Sequence, residues 1–180
     1  MECSGCIEGS AVPHSVVGLG IDSVPRPGRT RAELYDLVAL LARHNATATF
    51  FVRHDALTTP LVQELVSLVK ENGHEVGIHC EVGGIAEMRQ RACESVHLLS
   101  RKHGLQVRYA RVPGARAEHI NELEFLGLTV VCGRSRHCVP LASGEICMLR
   151  DDTFLEETLG LLDYTLTHTT VHALLDTIWQ

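Results

Sequence analysis

Ala48-Thr49-Phe50-Phe51-Val52 and, further on, Asn72-Gly73-His74-Glu75-Val76-Gly77-Ile78-His79 frame the stretch that decides the fold. Ala48–Val52 and Glu75–His79 are short apolar runs of strand character. Between them, Thr58-Thr59-Pro60 opens a helix with proline in its first turn, and Leu61, Leu65, Leu68 and Val69 form its core stripe. Asn72-Gly73 stops that helix. Strand, helix and strand in this order make a βαβ unit, the signature of an α/β domain with parallel strands.

The same alternation continues outward in both directions. Upstream, Val16–Asp22 reads as a first strand and Pro25, Pro27 and Gly28 as a loop. Thr30 then caps a helix with Leu34, Leu37, Val38 and Leu41 on one face. Downstream, Ile85–His103 is a long amphipathic helix ended by Gly104, and Gln106–Arg111 is a fourth strand. Ile120–Leu126 is a short helix closed by Gly127; Leu128–Cys132 and Glu145–Leu149 are further strands, and the last thirty residues read as one or two helices. Such pairs close as a (β/α) barrel or as an open wound sheet, and periodicity does not separate the two.

Composition narrows the class. The chain has 180 residues, 45% of them apolar and 21% charged, which fits one folded domain. A net charge of −6 argues against a duplex nucleic-acid binder. No apolar run approaches the ~20 residues of a membrane span. Met1-Glu2-Cys3-Ser4-Gly5-Cys6-Ile7-Glu8 has neither a basic segment nor an apolar one, so it does not read as a secretory signal, and the expected compartment is the cytoplasm. Residues 1–14 are expected to be a mobile peptide and residues 15–180 the single domain. The odd count of seven cysteines fits reduced thiols. Cys3-x-x-Cys6 has metal or redox spacing without a second pair to complete it, and Cys132 and Cys138 read as buried thiols.

In either architecture the reactive groups sit at the C-terminal ends of strands. That rule selects Asp22-Ser23, His79-Cys80-Glu81, Arg111-Val112-Pro113 and Arg150-Asp151-Asp152. An Asp, a His and an Arg at one rim could do acid–base work on an amide or ester. The same residues could equally form an ion pair between Asp22 and Arg111 with His79 as a helix cap. His74 belongs to a turn and reads as structural. His97, His103, His168 and His172 fall in helical patterns and read as surface or half-buried residues. Asp151-Asp152 reads first as a helix N-terminus.

The Ala48–Val52 and Asn72–His79 segments together resemble the polysaccharide deacetylases, the NodB-homology domain of carbohydrate esterase family four. Gly20-Ile21-Asp22-Ser23-Val24-Pro25-Arg26-Pro27-Gly28 resembles that family's opening T-F-D-D-G-P segment. Tyr109-Ala110-Arg111-Val112-Pro113-Gly114 resembles its R-P-P-Y/F-G segment, and Leu126-Gly127-Leu128-Thr129-Val130-Val131 the strand after it. Gly144-Glu145-Ile146-Cys147-Met148-Leu149-Arg150-Asp151 resembles the closing strand that ends in Leu-His-Asp. The resemblance covers about residues 15–151 and implies a distorted parallel (β/α) barrel.

It also implies a chemistry, position by position. In the family a divalent metal, held by one Asp and two His at i and i+4, polarises the acetamide carbonyl and lowers the pKa of the attacking water. A neighbouring Asp is the general base, an Arg orients it, and a His protonates the leaving amine. The resemblance makes Asp22 the base, Arg111 its orienting partner and His79 the first metal ligand. The metal-binding Asp is replaced by Ser23 and the second His by Gly83. The acid position falls on Arg150, or on Tyr164 if the segment from Thr169 to Leu174 is aligned instead. Arg150 is preferred because it directly follows a strand. Pro113 and Asp151 complete the groove as substrate-binding candidates.

One imidazole does not hold zinc at useful affinity, a serine hydroxyl is a poor substitute for a carboxylate, and an arginine does not give up a proton near neutral pH. The expectation is therefore a deacetylase-like pseudoenzyme, with no cofactor, that keeps a binding or scaffolding role. Its ligand would be a carbohydrate or other small molecule, with no nucleic acid and no membrane. A second copy could cover an open seam in the barrel. Two alternatives stand beside it: a working amide hydrolase in which Cys80 and Glu81 supply replacement ligands for zinc or another divalent metal, and a carbohydrate or small-anion binder that uses Arg111 and Arg150.

Overall fold

A computed structural model describes residues 16–25, 28–131, 134–135, 146–150 and 167–169. The expectations for residues 1–14, Cys3-x-x-Cys6, Cys132, Cys138, Asp151, Asp152, Tyr164 and His172, and for the side chains of Ser23 and Arg150, lie outside them. Strand β1 (Val16–Val24) leads to helix α1 (Arg31–Arg43), β2 (Thr49–Arg53), a 3-10 turn (His54–Ala56), α2 (Pro60–Glu71) and β3 (Glu75–His79). Then come α3 (Ile85–His103), β4 (Tyr109–Arg111), α4 (Ala117–Phe125), β5 (Thr129–Val131), β6 (Arg134–Ser135), β7 (Ile146–Arg150) and β8 (Thr167–Thr169). No helix among the described residues is long and apolar enough to cross a membrane.

The strands pair in parallel in the order β5-β4-β3-β2-β1-β7-β6, with β8 alongside β1. Followed round as a ring, β1 to β7 succeed one another in chain order, and among the described residues only the pairing of β5 with β6 is missing from that ring. That is a (β/α) barrel open along one seam. A wound sheet would reverse its strand order at a switch point, and this one does not.

Local chemistry accounts for the element ends. Thr30 and Glu33 form a reciprocal capping box at the start of α1, Thr59 caps α2 with Pro60 in its first turn, and Gly104 ends α3 at φ 62°. Several element boundaries and two assignments differ from the sequence reading. β4 begins only at Tyr109, α4 begins earlier at Ala117, and β6 is a two-residue strand with no apolar run to announce it. Thr167–Thr169, expected within a C-terminal helix, is a strand paired with Val16–Gly18, and His168 moves with it. An available strand edge and two β-branched threonines outweigh the helical periodicity there.

β2 is buried on both faces. Phe50 and Val52 pack with Leu65, Val69, Leu34 and Leu41 in the helix-side core. Phe51 alternates to the barrel interior and is fully buried. Its ring needs two glycines. A Cβ on Gly77 would lie 2.8 Å from ring carbons of Phe51, and one on Gly20 would lie 3.0 Å from the same ring and 2.5 Å from the Met148 sulfur.

Side chains fix the register of β2 on β3 at its lower end. Thr49 Oγ1 donates to Glu75 Oε2 at 2.6 Å, and the Glu75 amide donates to the Ala48 carbonyl at 3.0 Å. The Ala48 amide donates to His74 Nδ1 at 3.3 Å, with the His74 ring 5.4 Å from that of Phe50. Burial pushes the His74 pKa below its ordinary value, which keeps the accepting nitrogen unprotonated. His74 is the structural residue the sequence suggested. From this latch the ladder runs Thr49↔Glu75 up to Arg53↔His79 at the rim.

Candidate functional site

Four neighbouring strand ends, those of β1 to β4, carry the polar residues of the rim. Pairing sets His79 beside Arg53 on one side and Arg111 on the other, while Asp22 stands opposite Arg150 in the ladder of β1 with β7. The Asp22 side chain bridges the two groups that the sequence placed with it. Its Oδ1 accepts from His79 Nδ1 at 2.6 Å, which puts the shared proton on the ring nitrogen. Its Oδ2 lies 3.5 Å from Arg111 Nε. Arg111 Nη1 donates a long bond to the Val131 carbonyl, 3.4 Å, and the Arg111 carbonyl accepts from the Cys80 amide at 2.9 Å. The side chains of Asp22, His79 and Arg111 are 15%, 8% and 9% exposed, so the ion pair is held largely out of water.

A cavity of about 500 Å³ opens beside this triad. The end of β2 contributes Arg53, His54 and Asp55 to it, the end of β3 contributes His79, Cys80 and Glu81, and α3 contributes Met88 and Arg91. Arg53 grips Asp55 through two parallel bonds of 3.0 and 2.6 Å. That pairing holds the Asp55 carboxyl below, and the Arg53 guanidinium above, its ordinary pKa. Arg53 also lies 3.6 Å from Glu81. Sequence reasoning missed Arg53, His54 and Asp55, although the strand-end rule that found Asp22 and His79 applies equally to β2.

The remaining candidates are dispersed. Pro113 is exposed in the turn after β4 and does not line the cavity. Gly83 lies in the β3–α3 loop with room for a side chain, since a Cβ there meets only Glu87 Oε2 at 3.6 Å. Neither proposed replacement ligand is set for a metal. The Cys80 thiol is buried, and burial pushes its pKa up to about 12, so with no cation beside it the side chain rests as the neutral thiol. Glu81 turns toward Arg53. Among the described residues no three His, Cys, Asp or Glu side chains converge as a metal site. The described residues do not fit the divalent ion that the resemblance implies.

No family model matches the sequence, and no curated protein matches it. Solved structures do. A family 4 carbohydrate esterase pseudoenzyme from Bacillus anthracis superposes with TM-score 0.77 at 16% identity, over 97% of this chain and 70% of that one. A family 4 carbohydrate esterase from Bacillus anthracis gives 0.76 at 18%, over 96% and 88%. A peptidoglycan deacetylase from Bacillus subtilis gives 0.74 at 17%, over 93% of each chain. A seamed parallel barrel, an Asp–His–Arg rim and these superpositions agree: the chain has the distorted (β/α)-barrel fold of the NodB-type carbohydrate esterases.

Proposed function

We propose that this chain is a carbohydrate-esterase-fold protein without metal-dependent deacetylation, and that it uses its rim as a binding site. The observation that carries the reading is the thin ligand set at the rim: among the described residues, no three His, Cys, Asp or Glu side chains converge beside His79. His79 bonds to Asp22 through Nδ1, which leaves one ring nitrogen, Nε2, to meet a metal, and Arg111 closes the far side of that carboxylate. Ser23 and Gly83 offer no carboxylate or imidazole at the other two ligand positions. Arg150 holds the register position opposite Asp22, where an arginine binds anions but donates no proton to a leaving amine. Asp22 can still accept a hydrogen bond from water. With no Lewis acid on the carbonyl and no acid on the leaving group, attack on an acetamide has little driving force.

The test is acetate release from N-acetylglucosamine oligomers, with zinc or cobalt added and with chelator. No release above the uncatalysed background is expected in any condition. Release that a chelator abolishes and that Asp22→Ala removes would overturn the proposal and install an altered-ligand hydrolase in its place.

A further inference from the structure

We propose that the cavity beside the triad takes a small zwitterion, a free α-amino acid or a ligand ending in one, with its carboxylate on Arg91 and its ammonium on Glu81. The proposal rests on the binding role proposed above and names its ligand class. Two cations and two anions face this cavity, and they are not equally engaged. Arg53 and Asp55 satisfy each other through the bidentate pair, the strongest geometry an ion pair adopts. His54 is held by Ser95 Oγ at 3.0 Å and lies 3.4 Å from Glu94. One loosely held charge of each sign remains.

Arg91 bonds to Glu87 one turn back on its own helix, and both side chains are about half exposed, 47% and 58%. Such exposed i,i+4 pairs are the weakest kind and exchange readily for a better partner. Glu81 is 61% exposed and lies 3.6 Å from Nη2 of an Arg53 that bonds Asp55 through Nε and Nη2, beyond hydrogen-bond reach. The two charges come from different walls, α3 and the end of β3. Met88, fully buried one turn before Arg91, and the uncharged Cys80 thiol supply apolar surface for a side chain. A neutral sugar hydrogen-bonds to such side chains but neutralises neither charge. A simple anion or cation engages one and meets repulsion from the other, whereas a zwitterion satisfies both. The volume of about 500 Å³ suits a small molecule.

Isothermal titration of the full chain with L-leucine, L-leucinamide and N-acetyl-L-leucine tests this. Leucine is expected to bind with Kd on the order of 1 mM. Each blocked analogue lacks one charge and is expected to bind about tenfold more weakly or worse. Arg91→Gln and Glu81→Gln should each weaken leucine binding by at least about tenfold. Arg89→Gln, on the same helix but paired with Glu122 at 3.0 Å, should bind as the unaltered protein does. No binding of leucine, equal binding of either blocked analogue, or unchanged binding in both cavity variants overturns the proposal. Should a variant fail to fold by circular dichroism, the analogue series on the unaltered chain decides alone. Acetate release in the same samples reads the parent proposal separately. Release with leucine binding intact overturns only the inactive reading, and silence in both assays overturns only the zwitterion site.

Discussion

Replacing Asp22 with asparagine keeps the shape of the side chain and removes its charge. Arg111 then stays behind, 9% exposed, with Nε lacking any hydrogen-bond partner and Nη1 on one 3.4 Å bond to Val131. A guanidinium cannot shed its proton to escape burial. Breaking a buried ion pair from one side costs about 3–5 kcal/mol. The 15% exposure of Asp22 lets some water in and places the expectation at the lower end, about 3 kcal/mol. For a chain of this length each kcal/mol moves Tm by about 2–4 °C, so Asp22→Asn should lower it by roughly 6–12 °C. Thermal and urea unfolding followed by circular dichroism read the change. The double variant Asp22→Asn with Arg111→Met should melt above Asp22→Asn alone, because it strands no charge. An Asp22→Asn protein as stable as the unaltered chain, or more stable, would refute the reasoning. It would mean that the carboxylate is held against its own preference, as a working general base often is.

Four further outcomes follow from other parts of the molecule. Because burial depresses the His74 pKa in the folded state, the unfolded chain takes up the proton first as pH falls, so stability is full above about 6.5 and declines below it toward the lowered folded value; Tm measured from pH 8 to 5 should show this slope, reduced in His74→Gln. Iodoacetamide at pH 8 followed by peptide mass spectrometry should label the exposed Cys93 and spare the buried Cys80 until the chain is denatured. Gly77→Ala should destabilise by about 1–3 kcal/mol, because its methyl group meets the Phe51 ring and the Tyr109 carbonyl in a filled interior, and urea titration gives the value. The double variant Ser23→Asp with Gly83→His should gain zinc binding by elemental analysis after dialysis without gaining acetate release, since Gly83 has room for a side chain and Arg150 still cannot act as the acid.

What the sequence made legible was whatever depends on near neighbours. The apolar runs around Phe50 and Ile78, the Thr30 cap and the Gly104 stop each act within one or two turns, and each is where the pattern put it. Asp22, His79 and Arg111 emerged from a rule about strand ends and do meet at one rim. Long-range pairing was harder to see. β8 exists because β1 offers it an edge, and Thr167–Thr169 carry no sign of that edge. Arg53 was lost because the apolar run ends at Val52, although the strand continues one residue further and delivers that guanidinium beside His79. Nor could spacing decide between an ion pair and a hydrogen-bonded triad at Asp22, because the choice depends on the register of three strands at once.

The latch of Thr49, Glu75 and His74 has a consequence for how such a rim can change. Strand register is an integer, and a slip of one residue displaces the ladder by ~3.3 Å and turns every side chain to the wrong face. That integer is chosen at the bottom of β2 and β3, a strand's length away from Arg53 and His79. Substitutions at the rim therefore leave the alignment untouched, and substitutions at the latch move the rim as a block. Frame and chemistry are separately mutable. A barrel of this kind can accumulate a serine or a glycine at a reacting position and still bring its strand ends together in the same order.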